Sequence, residues 1–356
     1  MKRIVLTGGG TAGHVAPNIA LMPRLKELDY EIHYIGSIEG IERKMIEKLG
    51  IPYYPIQTGK LRRYFDLKNL SDPFRVMKGG REARGILKRL RPNIIFSKGG
   101  FVSVPVVKAA AREHIPVIIH ESDLTPGLAN KISFSSADRI CCNFPETMDY
   151  LPSKKAILTG LPIRAELLNG SRQEGLKICG FDDSRPVVMI IGGSIGATAI
   201  NNVIRGILPE LLKRYQVAHI CGKGKTDEEL SNKPGYVQFE FIDEELPHIF
   251  AMADIVISRA GANAICEILA LNKPNILIPL TATASRGDQI LNAASFESRG
   301  FSYVLEQENL TNLNLLNTIE KVLSNKDKYI KKMAASEQLD ATDKIIGLIE
   351  DLSLPS

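Results

Sequence analysis

Apolar positions along this 356-residue chain fall into two recurring patterns. Short runs of four or five consecutive apolar residues, rich in Val and Ile, alternate with longer stretches in which apolar residues recur every three or four positions. Short continuous runs suit strands buried on both faces, and the longer stretches read as helices. Their alternation predicts an α/β fold built on parallel sheets. Strands are expected at residues 4–7, 31–35, 94–97, 117–120 and 139–142, and again at 187–191, 218–221, 237–240, 255–258 and 275–279. From about Lys328 the pattern is that of one or two helices.

A repeat organises these elements. Ile4-Val-Leu-Thr runs into Gly8-Gly9-Gly10-Thr11-Ala12-Gly13-His14 and a helical stretch through Leu28. Val187-Val-Met-Ile-Ile runs into Gly192-Gly193-Ser194-Ile195-Gly196-Ala197 and another helical stretch. A strand, a glycine turn and a helix start, given twice, imply two Rossmann-like domains in tandem. Pro162 suits a linker near residues 159–164. The expected division is 1–160, 161–330, and a helical segment 331–356 that packs back on the first domain.

Composition narrows the class. A hydrophobic fraction of 44% is that of a globular chain rather than a disordered one. No window approaches the ~18 uninterrupted apolar residues of a membrane span, and the N-terminus lacks an apolar leader core. The five cysteines (Cys141, Cys142, Cys179, Cys221, Cys266) contain no CxxC pair, which predicts buried reduced thiols rather than a disulfide frame or a zinc site. A soluble cytoplasmic protein is therefore expected.

Charge is unevenly spread. Lys and Arg exceed Asp and Glu by ten in residues 1–160 and fall short by five in 161–356, which gives the overall +5. The first half is expected to face an anionic partner. Residues 60–91 concentrate this charge, with eleven Lys or Arg against three acids and Phe74, Val76, Met77, Ile86 and Leu87 interleaved. A basic, partly apolar surface suits anionic lipid, with a solvated helical face as the plain alternative. No stacking-aromatic motif supports nucleic acid.

Gly8-x-Gly10-x-x-Gly13 matches the dinucleotide fingerprint, but strand 31–35 ends in Gly36-Ser37 instead of the acid that would hold a ribose, so a nicotinamide enzyme is not expected. A glycine loop opening a helix still offers backbone N–H groups to an anion, although a tight turn alone would also account for it. Ser194, in the second loop, stands where a pyrophosphate would be cradled, and the helix dipole there would stabilise charge on a departing diphosphate. Glu267, one to two turns into the helix after Ser258-Arg259-Ala260-Gly261, could accept from both hydroxyls of a ribose or be a solvated helical glutamate. Ser285-Arg286-Gly287-Asp288-Gln289-Ile290-Leu291-Asn292 and His120-Glu121-Ser122-Asp123 each follow a strand, where open α/β sheets bind ligands. His120 could equally be a satisfied core histidine.

Gly9-Gly10-Thr11-Ala12-Gly13-His14, Ser97-Lys98-Gly99-Gly100-Phe101-Val102-Ser103, His120-Glu121-Ser122-Asp123, Gly192-Gly193-Ser194-x-Gly196-Ala197 and Glu267…Asp288-Gln289-x-x-Asn292 occur in one order. Over essentially its full length the chain resembles the MurG family within glycosyltransferase family 28, the UDP-N-acetylglucosamine:N-acetylmuramyl-(pentapeptide) pyrophosphoryl-undecaprenol N-acetylglucosaminyltransferases, in the versions of Gram-positive bacteria. The resemblance implies a GT-B fold, two Rossmann-like domains facing across a cleft, with the lipid acceptor on the first and UDP-N-acetylglucosamine on the second. It implies an inverting transfer onto the 4-hydroxyl of N-acetylmuramic acid in lipid I, forming lipid II. No cofactor or fixed metal is expected. The expected setting is the cytoplasmic face of the cell membrane, held peripherally, alongside other cell-wall synthesis proteins.

By the same resemblance, Ser194 would contact the diphosphate, Glu267 the ribose, and Ile242 the uracil through its backbone. Ala262 and Asn263 join this substrate-binding set. Gln289 and Asn292 would hold sugar hydroxyls, Arg164 matches a binding arginine, and Thr11, Ala12 and Gly13 would close over the donor. His14 is the candidate base, with Glu121 the alternative. Asp123 stands where relatives commonly carry Asn near the donor sugar, Asp288 where some carry Gln, and Ala12 where many carry Gly. Competing readings are a GT-B transferase acting on diacylglycerol, a UDP-N-acetylglucosamine epimerase, and a non-catalytic protein that binds the UDP-sugar.

Overall fold

The computed structural model describes residues 2–59, 72–193, 196–283, 287–336 and 340–353. The chain divides into two compact units, residues 1–164 with 338–356, and residues 165–337. The first contains β1 (Lys2–Thr7), β2 (Tyr30–Ser37), β3 (Tyr53–Ile56), β4 (Ile94–Ser97), β5 (Val117–Glu121), β6 (Arg139–Cys142) and β7 (Ala156–Leu158). They form one parallel sheet in the order β3-β2-β1-β4-β5-β6-β7. The second contains β8 (Val187–Ile191), β9 (Gln216–Ile220), β10 (Tyr236–Phe239), β11 (Ile255–Ser258), β12 (Asn275–Leu277) and β13 (Tyr303–Val304). Its parallel sheet runs β10-β9-β8-β11-β12-β13. Each unit is thus Rossmann-like, as the repeated opening implied.

All ten expected strands are present to within two residues. The strands that the apolar pattern missed are β3, β7 and β13, and each is the edge of its sheet. An edge strand needs no continuous apolar run. β3 carries Pro55, whose missing N–H an edge tolerates, and β13 is only two residues long.

Central strands bury both faces, which explains their unbroken apolar runs. Ile4 and Leu6 of β1 join Phe96 and Ile118 in one core layer, while Val5 joins Ile95, Val117 and Ile119 in the other. The helix Ala341–Ser353 seals the first of these layers with Ile345, Ile346 and Ile349. Its Ser353 Oγ lies 2.6 Å from the Tyr30 hydroxyl. The segment expected at 331–356 is therefore shared. Its last helix lies on the first unit, while residues through Ala334 belong to the helix Lys326–Ala334 of the second.

Both sheets reverse strand order beside their first strand, β1 against β4 and β8 against β11. Thr7 pairs in register with Ser97, and Ile191 with Ser258, so the loops that follow emerge level with one another. Ligands of open α/β sheets bind at this switch point, beyond the carboxyl ends of the strands.

Candidate active site

In the first unit the switch point is made by two glycine turns in contact. After β1 the chain passes through Gly8–Thr11 into a short 3-10 turn, Ala12–His14, and then the helix Ala16–Glu27. After β4 it passes through Lys98-Gly99-Gly100. Gly100 has φ +80° and lies so close to the Gly9 carbonyl that no Cβ would fit. His14 is half-buried. Its Nδ1 lies 3.0 Å from the Gly9 carbonyl oxygen and 3.2 Å from Thr11 Oγ1. A carbonyl oxygen only accepts, so Nδ1 carries the proton in the neutral ring and the lone pair is on Nε2.

Glu121, at the end of β5, is 5% exposed. Its Oε1 accepts from the N–H groups of Ser122 at 2.8 Å and Asp123 at 3.1 Å, and its Oε2 from Gly127 N–H at 2.9 Å and Asn130 Nδ2 at 2.8 Å. Burial, and then the charge of Asp123, raise its carboxyl above the ordinary range against the pull of these donors. Both oxygens are committed to shaping the 121–130 loop. Asp123, half-buried, is carried by that loop.

His120 is a core histidine, which settles the alternative left open by the sequence. Its Nε2–H donates to Gly160 O at 2.7 Å, so Nδ1 accepts from the ammonium of Lys98, also at 2.7 Å. Burial first, and the Lys98 charge second, depress its pKa well below the usual value. Lys98 itself is 1% exposed and donates to Ser122 Oγ at 2.5 Å. Neither Lys98 as a buried cation nor the buried carboxylate of Glu42 was legible in the sequence. Only the wholly apolar neighbourhood of Ile94-Ile95-Phe96 hinted that a lysine there would be enclosed.

In the second unit, β8 leads through Gly192 and Gly193 to Gly196 and the helix Thr198–Leu211. Gly196 has φ +72° and abuts the Cys221 carbonyl at the end of β9, so the turn is pressed against the neighbouring strand. Ser194, the expected diphosphate contact, lies outside the described residues. After β11, Gly261 caps the helix Ala262–Ala270. Asn263 and Glu267 are four apart on one face of that helix, and both are half-buried. Ala262 and Ile242 are nearly buried, at 6% and 7%, whereas Phe241 beside Ile242 is 67% exposed.

Arg259, 8% exposed, donates to the carbonyls of Ile278 at 3.0 Å and Pro279 at 3.3 Å, tying the end of β11 to the loop after β12. Gln289, in the helix Asp288–Ser298, accepts from Leu280 N–H at 3.1 Å through Oε1. Asn292 lies in the same helix. It has no exposed surface and donates to Ala260 O at 3.3 Å, which braces the 259–261 turn. Arg164 is half-buried in the segment that ends the first unit.

The site motifs thus gather at two switch points, one in each unit. The glycosyltransferase family 28 N-terminal domain model matches residues 4–142, and the family 28 C-terminal domain model matches residues 187–346. A relative from Lachnoclostridium phytofermentans, named UDP-N-acetylglucosamine--N-acetylmuramyl-(pentapeptide) pyrophosphoryl-undecaprenol N-acetylglucosamine transferase, is 64% identical over 99% of this chain and 100% of its own. The chain belongs to glycosyltransferase family 28. A relative of the same name from Clostridium botulinum is 57% identical over 98% of this chain and 99% of its own. The fold is shared with the crystal structure of Acinetobacter baumannii MurG (TM-score 0.77, 24% identity, 99% of this chain and 100% of that one). It is shared more loosely with a UDP-GlcNAc 2-epimerase from Neisseria meningitidis bound to UDP-GlcNAc (TM-score 0.64, 15% identity, 99% and 100%). This family 28 chain therefore has the GT-B class of fold, in which one scaffold serves more than one chemistry.

The basic segment of this family 28 protein is described from residue 72 onward; residues 60–71 lie outside the described residues. The helix Asp72–Leu90 turns Ala83, Leu87 and Leu90 into the core, with Ile86 packed against it. Leu87 is thus unavailable to a lipid, contrary to the sequence reading, and Ile86 is half-buried, because the helix needs an apolar face for the sheet. Its outer face presents Arg75, Met77, Lys78, Arg81, Arg84, Lys88 and Arg89. Arg84 and Lys88 both approach Glu113. Among the described residues no helix is long and apolar enough to cross a membrane.

Proposed function

We propose that this chain transfers N-acetylglucosamine from UDP-N-acetylglucosamine to the 4-hydroxyl of N-acetylmuramic acid in undecaprenyl-pyrophosphoryl-MurNAc-pentapeptide, lipid I, and so makes lipid II for peptidoglycan. The observation that carries this reading is the 64% identity, end to end, with a relative named for that reaction. The two glycine turns at the two switch points are what such a reaction needs.

The second unit takes the donor. Glu267 accepts from the ribose hydroxyls, the backbone at Ile242 meets the uracil, and Phe241 offers an aromatic face beside it. Ala262 and Asn263 open the helix that carries Glu267. Gln289, with Oε1 already satisfied, donates through Nε2 to a sugar hydroxyl. Ser194 and the start of the helix Thr198–Leu211 meet the diphosphate, with Arg164 as a further cation. Charge grows on the β-phosphate as the bond from C1 to the diphosphate oxygen breaks, and the helix N-terminus stabilises it.

The first unit takes the acceptor. The 4-hydroxyl oxygen attacks C1 from the face opposite UDP, which inverts the configuration, and its proton passes to His14 Nε2. Thr11, Ala12 and Gly13 line the approach. Glu121 is the weaker base candidate, since both its oxygens already accept two N–H bonds; it holds the loop that presents Asp123. The exposed cations of the helix Asp72–Leu90 rest on anionic inner-leaflet lipid, which places the enzyme peripherally on the cytoplasmic face, where its acceptor is concentrated. Cell-wall synthesis proteins would be neighbours there.

UDP release tests the reading against the epimerase chemistry found on the same fold. Release from UDP-N-acetylglucosamine should require lipid I, and the product should carry the sugar. Conversion of the donor without any acceptor would overturn the proposal.

A further inference from the structure

Glu42 belongs to none of the motifs above, yet it is completely buried and points its carboxylate at the glycine loop. Its Oε2 accepts from Gly10 N–H at 3.1 Å, and its Oε1 from the N–H of Ser37 at 3.1 Å and the hydroxyl of Ser37 at 2.5 Å. Gly9 and Gly40 lie so close that a Cβ on either would meet this carboxyl group. Two of the glycines around the loop are therefore required by the carboxylate.

The N–H of Gly10 and the C=O of Gly9 are the two ends of one peptide unit. The N–H end donates to Glu42, and the C=O end accepts from His14 Nδ1–H at 3.0 Å. A single peptide plane thus lies between a carboxylate and an imidazole. Hydrogen bonds in such a chain polarise one another: an anion accepting from the N–H shifts electron density toward the carbonyl oxygen, which then accepts more strongly. A negative charge one peptide unit away also favours the imidazolium over the neutral ring. Among the other charged groups, Lys98 packs its stem beside Gly8 but directs its ammonium to His120 and Ser122.

We propose that Glu42 is a positioning residue that acts on His14 through the Gly9–Gly10 peptide, fixing the Nδ1–H tautomer and strengthening Nε2 as a proton acceptor. The proposal rests on the reading of His14 as the base. Glu42 touches no substrate and takes no proton. When the 4-hydroxyl proton reaches Nε2, the imidazolium keeps its Nδ1–H on the Gly9 carbonyl, and the relay stabilises the charge that has appeared.

The test follows the ring itself and, separately, catalysis. In the full chain labelled with 13C,15N-histidine, the His14 signals are assigned by their absence in His14→Gln, and their titration is compared in wild type and Glu42→Gln. The expected result is a His14 pKa lower by about one unit in Glu42→Gln, with a smaller Nδ1–H fraction. The acid limb of the kcat profile should move down with it, and kcat should fall about tenfold while KM for UDP-N-acetylglucosamine stays put. A folded Glu42→Gln whose His14 keeps its pKa and tautomer overturns the proposal, even if activity falls. A shifted His14 with an unmoved acid limb supports the relay and rejects His14 as the base. If Glu42→Gln does not fold, Glu42→Asp, which draws the carboxylate back by one methylene, should show the same shifts at smaller size, and an unshifted His14 there also overturns the proposal.

Discussion

At the scale of single residues, the site is decided by which polar atoms are already committed. The sequence put His14 first and Glu121 second as base, but nothing in it tells a carboxylate that shapes a loop from one that takes a proton. Their hydrogen-bond partners differ: four N–H donors fall on Glu121, and Nδ1 of the His14 ring meets the Gly9 carbonyl. His14→Ala should lower kcat by about 10²–10⁴ while UDP-N-acetylglucosamine binding, measured by calorimetry, is kept. Glu121→Gln should leave the acid limb of the pH profile in place but lower the melting temperature, because an amide cannot accept on both arms. Loss of that limb in Glu121→Gln would make Glu121 the base. Buried histidines give a second pH signature. His219 donates through Nε2–H to Asn201 Oδ1 at 3.0 Å and accepts at Nδ1 from the Tyr236 hydroxyl at 2.9 Å, and burial lowers its pKa to about 3. An unfolded chain protonates this residue near pH 6.5 while the folded one does not. Its share of stability is therefore complete above pH 6.5 and lost as pH falls toward 3. Acid unfolding of His219→Asn, compared with wild type, should show a shallower decline over that window; equal slopes would contradict this.

At the scale of elements, the sequence was most legible where burial was most complete. Central strands with both faces covered wrote themselves as continuous Val and Ile runs, and all were found. The edge strands β3, β7 and β13 left little trace, because half of each faces no neighbour and packing asks less of it. The glycine turns were legible for a different reason: a positive φ or a close backbone approach excludes every other residue, as at Gly100 and Gly196. What stayed hidden were partners distant in sequence, such as Glu42 to Gly10 or Lys98 to His120, which no local spacing announces. The basic helix was legible as charge but not as orientation, since Leu87 was needed inside. Its outer face supports a direct expectation. Reversing the charge of Arg75, Lys78 and Arg81 together should weaken sedimentation with anionic liposomes and leave transfer to a detergent-soluble acceptor nearly unchanged. Undiminished liposome binding would remove this helix from the membrane contact.

At the scale of the whole molecule, one folding plan is used twice, and the chain's last helix returns to complete the first unit. Ile345 and Ile349 are fully buried against strands laid down some 250 to 340 residues earlier. Either change to Ala should cost about 2–5 kcal/mol, read as a lower denaturant midpoint for the first unit. A shift confined to the second unit would contradict the packing described. The central claim concerns the acceptor, and one assay addresses it. Radiolabelled N-acetylglucosamine is supplied as its UDP donor with a lipid I analogue, and with diacylglycerol in parallel. The account predicts label on the muramyl lipid alone, abolished in Glu267→Ala. Label on diacylglycerol, with none on the lipid I analogue, would contradict it.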